Sequence, residues 1–114
     1  MESVSLTDLA DEQLAVARSA RSGRSAHTVH GGHDHLLRQT LMALTAGTEM
    51  AEHNSPGQAT LQVLRGRVTV SAADRQWTGG VGELLVIPRE RHGLRAEEDS
   101  VVLLTVLADS REAQ

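Results

Sequence analysis

From about residue 27 onward, the chain is a succession of short segments rich in Leu and Val that turn residues separate. The breaks contain Gly47, the run Asn54-Ser55-Pro56-Gly57, Gly66 and Gly79-Gly80, and residues of these types favour turns. The segments between the breaks are 35–44, 50–53, 59–64, 67–71, 75–78, 83–87, 94–96 and 101–107. Seven or eight short strands at such close spacing predict an all-β fold, a sandwich or barrel of the jelly-roll type.

The N-terminal segment, up to about Ala20, differs from the rest and predicts a helix. Ser5 or Thr7 can cap its first turn, and acidic side chains in that turn interact favourably with the helix dipole. The acidic residues are Asp8, Asp11 and Glu12, and the leucines at near-helical spacing are Leu6, Leu9 and Leu14. A linker around Gly23 follows, so we expect a helix and linker (1–26), a barrel (27–108) and a polar tail (109–114).

The 114 residues are enough for one small domain, and their composition excludes several kinds of chemistry. The chain has no Cys, which excludes disulfides, thiolate metal sites and thiol catalysis. It has no Lys and no Tyr, so neither a lysine Schiff base nor a tyrosine acid is available. Catalysis, if there is any, must rely on other side chains.

The composition also argues against nucleic-acid and membrane partners. The net charge of −4 gives no electrostatic attraction for a phosphate backbone, and Trp77 alone cannot form a stacking platform for bases. No apolar run approaches the roughly 20 residues that a membrane helix needs. The N-terminus lacks the basic and apolar regions of a secretion signal, so we expect a cytoplasmic protein.

Histidine is the one reactive residue type in which this chain is rich, with six in total and four within residues 27–35. His33 and His35 are two residues apart, so on a strand their side chains point to the same face, as a His-x-His ligand pair requires. His27 and His30 are three residues apart and are expected to be surface residues.

Two glycine-containing motifs, taken in this order and spacing, resemble those that define the cupin superfamily. The positions that match are Gly47, His53, Gly66, Gly82, Pro88 and His92. Five residues separate the first glycine from its histidine and the third glycine from the proline, as in the superfamily. The resemblance covers about residues 36–107 and implies the cupin double-stranded β-helix, a barrel with an internal cavity. It is closest to the small single-domain bacterial cupins, because only fifteen residues separate the two motifs.

The resemblance implies only part of the usual cupin metal shell. In the superfamily, two His and one Glu of the first motif and one His of the second usually hold a metal. His53 and His92 stand at two of these positions, whereas Ser55 stands at the second His position. Ala59, or Thr60 with relaxed spacing, stands where Glu is expected. Two imidazoles alone make a poor metal site, since catalytic sites usually have three protein ligands.

His33 and His35 are the candidates to replace a missing ligand, because their segment leads into a barrel strand near the one that carries His53. The alternative is that Gly31-Gly32 and Asp34 make the segment a solvated loop in which both histidines are simply polar. A metal held by these histidines is expected to be one that suits imidazole, namely Zn, Ni, Cu or Fe.

Four further side chains are candidates for the wall of a ligand pocket: Arg38, Gln39, Met42 and Leu61. On a strand, Arg38 and Met42 share one face and Gln39 lies on the other. Both faces are largely apolar, so the alternation leaves open which one is inward. Arg38 inside the barrel would favour an anionic ligand, and outside it would pair with surface acids.

The resemblance leaves three functions open for the cavity of His53 and His92. The first is a metal-dependent enzyme, an oxygenase, isomerase or lyase, that acts on a small organic substrate. The second is a metal-free module that binds or senses a small molecule. The third is a metal-free catalyst similar to the sugar epimerases of the superfamily, which usually also need a tyrosine. A homodimer is expected as well, because small cupins commonly pair and the leucine stripe of the helix must cover its own barrel or a neighbour's.

Overall fold

The computed structural model describes residues 1–54 and 57–108, and it contains one helix and nine strands in these ranges. The helix α1 is Leu6–Ser19, and its N-terminus is capped by Ser5, whose Oγ accepts a hydrogen bond from the Asp8 N–H at 3.2 Å. The predicted helix is therefore confirmed. The turn residues Ser55 and Pro56 and the predicted polar tail 109–114 lie outside the described residues.

The strands form two antiparallel sheets. Their bounds are Arg24–His30 (β1), Leu37–Leu44 (β2), Glu49–His53 (β3), Gly57–Arg65 (β4), Arg67–Ala72 (β5), Arg75–Gly80 (β6), Leu84–Val86 (β7), His92–Ala96 (β8) and Ser100–Ala108 (β9). One sheet has the order β1-β2-β9-β4-β7, and the other has the order β3-β8-β5-β6. Non-consecutive neighbours such as β2 and β9 show that the chain crosses between distant strands, as in a jelly roll.

The inner faces of the two sheets enclose an apolar core. Alternate residues of β4 and β5 project into it, so Leu61, Val63, Val68 and Val70 are buried there. Leu44, Leu94 and Val102 join them from other strands. The predicted all-β barrel is confirmed.

Helix α1 packs against the outer face of the five-stranded sheet. Leu9 and Leu14 are buried there against Leu41, Ala43 and Leu103 of β2 and β9. Two ion pairs accompany this contact, one between Arg65 and Asp11 and one between Arg18 and Asp99 at 2.9 Å. The leucine stripe therefore covers its own barrel. In the described residues, no helix is long and apolar enough to cross a membrane.

Strand β1 lies in a segment that the sequence assigns to a linker and to surface histidines. It pairs with β2 along its whole length, from Arg24 opposite Leu44 to His30 opposite Gln39. It is an edge strand with mostly exposed side chains, so it lacks the apolar alternation that identifies the other strands.

Candidate ligand site at the histidine pair

Strands β3 and β8 bring His53 and His92 together. The two residues stand directly opposite each other in the antiparallel register, so their side chains share one face. The ring centroids are 4.7 Å apart and the ring planes are inclined by 58°. The His92 side chain is buried, with the residue only 5% exposed, whereas His53 is exposed.

Both histidines line a small, partly open cavity whose remaining wall is apolar. Its volume is about 70 Å³, room for about two water molecules. The other lining residues are Met42, Met50, Leu61, Val70, Ile87, Leu94 and Leu104. The two imidazoles are therefore the only polar side chains among the residues that line this cavity.

The backbone fixes the same tautomer in both rings. The Nδ1 of His53 lies 3.2 Å from the carbonyl oxygen of Ala51, and the Nδ1 of His92 lies 3.0 Å from that of Glu90. A carbonyl oxygen only accepts, so each Nδ1 carries the proton and donates it. In the neutral ring, Nε2 then keeps its lone pair, which is the state that binds a metal or accepts a hydrogen bond.

Burial in the apolar cavity lowers the pKa of His92 below its ordinary value, and the nearby His53 lowers it further. The charged imidazolium would lose hydration there and would be repelled by its neighbour when that ring is protonated. His92 is therefore neutral at pH 7 and available as an acceptor.

The residues at the site do not fit the usual cupin metal shell. Among residues 1–54 and 57–108, no group of three or more His, Cys, Asp or Glu side chains is placed to hold a metal ion. Ala59, at the position of the superfamily's Glu, contributes only a buried methyl group to the core. The carboxylate of Glu90, two residues before His92 in the chain, pairs with Arg75. Two imidazoles are one ligand short of a catalytic metal site.

The structure places His33 and His35 in an exposed loop after β1, apart from the cavity. The His35 ring packs edge-on against His30, with centroids 5.6 Å apart, and its Nδ1 lies 3.1 Å from Asp34 Oδ1. Arg38 crosses this loop and donates hydrogen bonds of 2.9 Å to the carbonyl oxygens of both His33 and His35. The solvated-loop alternative of the sequence thus describes the observed placement.

The four candidate pocket residues divide into two pairs. Met42 and Leu61 line the cavity with the histidines. Gln39 and Arg38 are not among the lining residues. Gln39 lies beside Thr105, to whose Oγ1 its side-chain amide donates at 3.2 Å, and Arg38 holds the loop described above.

Some lining residues follow from alternation and others do not. Leu94 comes two residues after His92 on β8, so a strand places both on one face. Met50 comes three residues before His53, which on a regular strand would put them on opposite faces. The irregular register between Met50 and His53 brings both to the cavity, and no sequence signal marks that irregularity.

Comparison with known proteins gives structural matches only. No family model matches the chain, and no curated protein matches it either. Among solved structures, an RmlC-like cupin from Desulfovibrio desulfuricans is 24% identical with a TM-score of 0.70, over 94% of this chain and 96% of that chain. A cupin superfamily protein from Desulfitobacterium hafniense is 16% identical with a TM-score of 0.70, over 82% of this chain and 88% of that chain.

A larger protein also contains this fold. Salicylate 1,2-dioxygenase from Pseudoaminobacter salicylatoxidans, as a mutant in complex with gentisate, is 23% identical with a TM-score of 0.75. The match covers 93% of this chain but 33% of that one. At these identities the likeness establishes the fold, and the resemblance of the sequence motifs to cupins is confirmed at that level.

Proposed function

We propose that this barrel, which has the cupin fold, binds a small organic molecule in the cavity that His53 and His92 share. The observation that carries the proposal is the contact of each Nδ1 with a backbone carbonyl oxygen, because it assigns the proton to Nδ1 and leaves two Nε2 lone pairs on adjacent rings. They would accept hydrogen bonds from a hydroxyl or amine group of the ligand, while the apolar wall packs against its carbon skeleton.

The fold gives this proposal independent support. Cavities inside β-barrels are frequent sites for small ligands, and the dioxygenase that shares the fold was crystallised with the organic ligand gentisate. A homodimer, a cytoplasmic location and the absence of nucleic-acid or membrane partners remain predictions.

A metal-dependent enzyme is the second candidate function, in which His53 and His92 would be the protein's ligands. Hydrogen bonds from Nδ1 to a carbonyl are the usual outer-sphere support of a metal-ligating histidine, and both rings have one. The ion would be one that suits imidazole, and it would supply Lewis acidity. The candidate is second because the described residues supply two ligands and not three.

Metal analysis and ligand screening together separate the two functions. Protein purified without a His tag is analysed for metal, and its histidine side chains are observed by ¹⁵N NMR while small alcohols, phenols and amines are added. We expect less than about 0.1 metal ion per chain, and compounds that shift the Nε2 signals of His53 and His92. His53→Ala and His92→Ala should lose this binding.

The matched controls are His33→Ala and His35→Ala, which remove exposed histidines outside the cavity. They should bind the same compounds as the parent. If one metal ion per chain is found and is lost in His53→Ala and His92→Ala alone, the metal-dependent function is the correct one. If neither the binding of any compound nor the binding of a metal depends on His53 or His92, the cavity is not the functional site.

A further inference from the structure

A second cavity adjoins the histidine cavity at the gap between strands β1 and β3. These strands are edges of different sheets, and Arg24 of β1 bridges them by donating from Nη1 to the carbonyl oxygen of Glu49 at 3.3 Å. The space between them has a volume of about 480 Å³, within the usual range for small-molecule sites. We call it the lateral cavity.

Met42 and Met50 separate the two cavities. Both methionines line the lateral cavity and both also line the histidine cavity, so their side chains form the shared wall. Met42 belongs to β2 and Met50 to β3, so the wall is made by two side chains from opposite sheets. Both are only partly buried, and unbranched thioether side chains change rotamer readily.

The small volume of the histidine cavity favours movement of this wall if the proposed function is correct. The histidine cavity has a volume of about 70 Å³, about half that of an engineered apolar cavity of about 150 Å³ that binds benzene. Movement of the methionines would give an organic ligand beside His53 and His92 the extra room that it needs. The lateral cavity is the adjoining space with room for the rest of the ligand.

We propose that Met42 and Met50 form a gate, and that the lateral cavity is the vestibule through which an organic anion with an apolar body reaches the histidines. This inference rests on the proposed function. The negative charge of the ligand is inferred from the residues that line the lateral cavity. Arg24 is the only charged side chain among them, while Ala26 and Leu44 supply an apolar wall. Among the described residues no carboxylate pairs with Arg24, and Nη1 donates to the Glu49 carbonyl oxygen, so the other N–H groups of the guanidinium are available to a carboxylate ligand.

The chain offers a direct probe of the gate, because Met1, Met42 and Met50 are its only methionines. Protein labelled with ¹³C at the methionine methyl groups gives three signals, and Met1 is a fully exposed internal control. Hexanoate is the anionic probe and 1-hexanol is its neutral match. We expect hexanoate to shift the Met42 and Met50 signals and to leave the Met1 signal unchanged.

Three variants test the parts of the proposal. Met50→Ala removes half of the gate and should raise hexanoate affinity at least about tenfold, because the closed state no longer competes with binding. Met50→Leu is the matched control of similar volume and should bind like the parent. Arg24→Gln should weaken hexanoate about threefold to fivefold and leave 1-hexanol unchanged, as expected for one exposed ion pair.

Each part of the proposal has an outcome that overturns it. The gate is wrong if hexanoate leaves both the Met42 and the Met50 signal unchanged, a test made on the parent protein alone. It is also wrong if Met50→Ala and Met50→Leu bind hexanoate equally. The anion assignment is wrong if Arg24→Gln weakens both probes equally. Hexanoate has no hydroxyl or amine hydrogen to donate to the histidines, so 6-hydroxyhexanoate tests the proposed function separately. If His92→Ala binds 6-hydroxyhexanoate like the parent while hexanoate still shifts the methionine signals, the proposed function fails, and only an anion site beside Met42 and Met50 remains.

Discussion

At the scale of single residues, His92 combines burial with a titratable ring. Its neighbours in the cavity are apolar except for His53, so a proton on His92 would have neither hydration nor a counter-charge. Burial and, second, the charge of a protonated His53 therefore lower the pKa of His92. In an unfolded chain the same imidazole titrates near its ordinary value of about 6.5.

This difference predicts how stability depends on pH. Below about pH 6.5 the unfolded chain binds a proton that His92 in the folded barrel does not bind, so acid favours unfolding. The free energy of unfolding should be constant above that pH, fall as the pH drops below it, and level off once the pH passes the lowered pKa of His92. Urea titrations at several pH values between 8 and 5 measure the free energy of unfolding.

His92→Gln is the control, because glutamine is neutral throughout this range. Its free energy of unfolding should depend on pH less steeply than that of the parent. Asp99 does not confuse the result: hydrogen bonds from the Ala46 N–H and then from Arg18 lower its pKa, so it acts at more acidic pH. An equal pH dependence in parent and variant would contradict the role of His92.

The histidine pair could be predicted from the sequence. That His33 and His35 lie apart from this pair could not be predicted. Motif spacing places His53 and His92 at positions that face one cavity, and the register does bring them opposite each other. The same kind of spacing suggests His33 and His35, which lie in a loop that Arg38 holds. Spacing reports which face of a strand a residue takes, and it says nothing of a residue that lies in no strand.

At the scale of elements, the turn between β4 and β5 depends on Gly66. Its φ of +78° is in the left-handed region, and a Cβ there would lie 2.3 Å from both the Asp99 carbonyl oxygen and Ser100 Oγ. Ser100 Oγ in turn accepts from the Arg67 N–H at 3.0 Å. The glycine therefore lets the β4–β5 turn and the β8–β9 turn approach each other.

Gly66→Ala should lower the free energy of unfolding by about 3 kcal/mol, from backbone strain together with the forced separation of the two turns. Gly82→Ala is the matched control, because Gly82 has a φ of +89° but no atom within 4 Å of its Cβ position. It should cost only the strain, about 1 kcal/mol. Urea titration of both variants makes the comparison, and equal losses would show that the contact with Asp99 and Ser100 is unimportant.

The strands whose side chains alternate between core and solvent could be predicted, and β1 could not. Glycine at sharp turns, as at Gly66, ends such strands within a residue or two of the predicted position. Strand β1 has mostly exposed, polar side chains, and it is a strand because its backbone pairs with β2. Backbone pairing at an edge leaves no pattern in the side chains.

At the scale of the whole molecule, the outer face of the five-stranded sheet is covered only in part. Helix α1 covers the end that contains Leu41 and Leu103. The other end is left with Leu37, Leu84, Val86 and Leu107, all exposed, around the uncharged side chains Gln39, Gln58, Thr60, Gln62 and Thr105. Cross-strand register places these residues on one face, because Thr60 stands opposite both Val86 and Thr105.

The predicted homodimer therefore needs a different basis from the helix stripe, since α1 covers its own barrel. We propose that the uncovered end of the sheet, which we call the open face, is the dimer contact. A two-fold interface places each patch against its own copy, so a charged patch would repel itself. The residues that the structure describes on the open face include no charged side chain, in a chain in which 23% of residues are charged, and four of them are exposed apolar side chains that favour burial.

The dimer prediction is tested by adding charge to this face. The parent should scatter light as a dimer at about 50 µM, and Val86→Arg should weaken the dimer at least about tenfold, because each protomer would bring an unpaired, desolvated arginine into the contact. Val81→Arg is the matched control: Val81 is 68% exposed, like Val86 at 71%, but it lies in the turn between β6 and β7. A parent that is monomeric at this concentration would contradict the dimer. A dimer that Val81→Arg and Val86→Arg weaken equally would place the contact elsewhere.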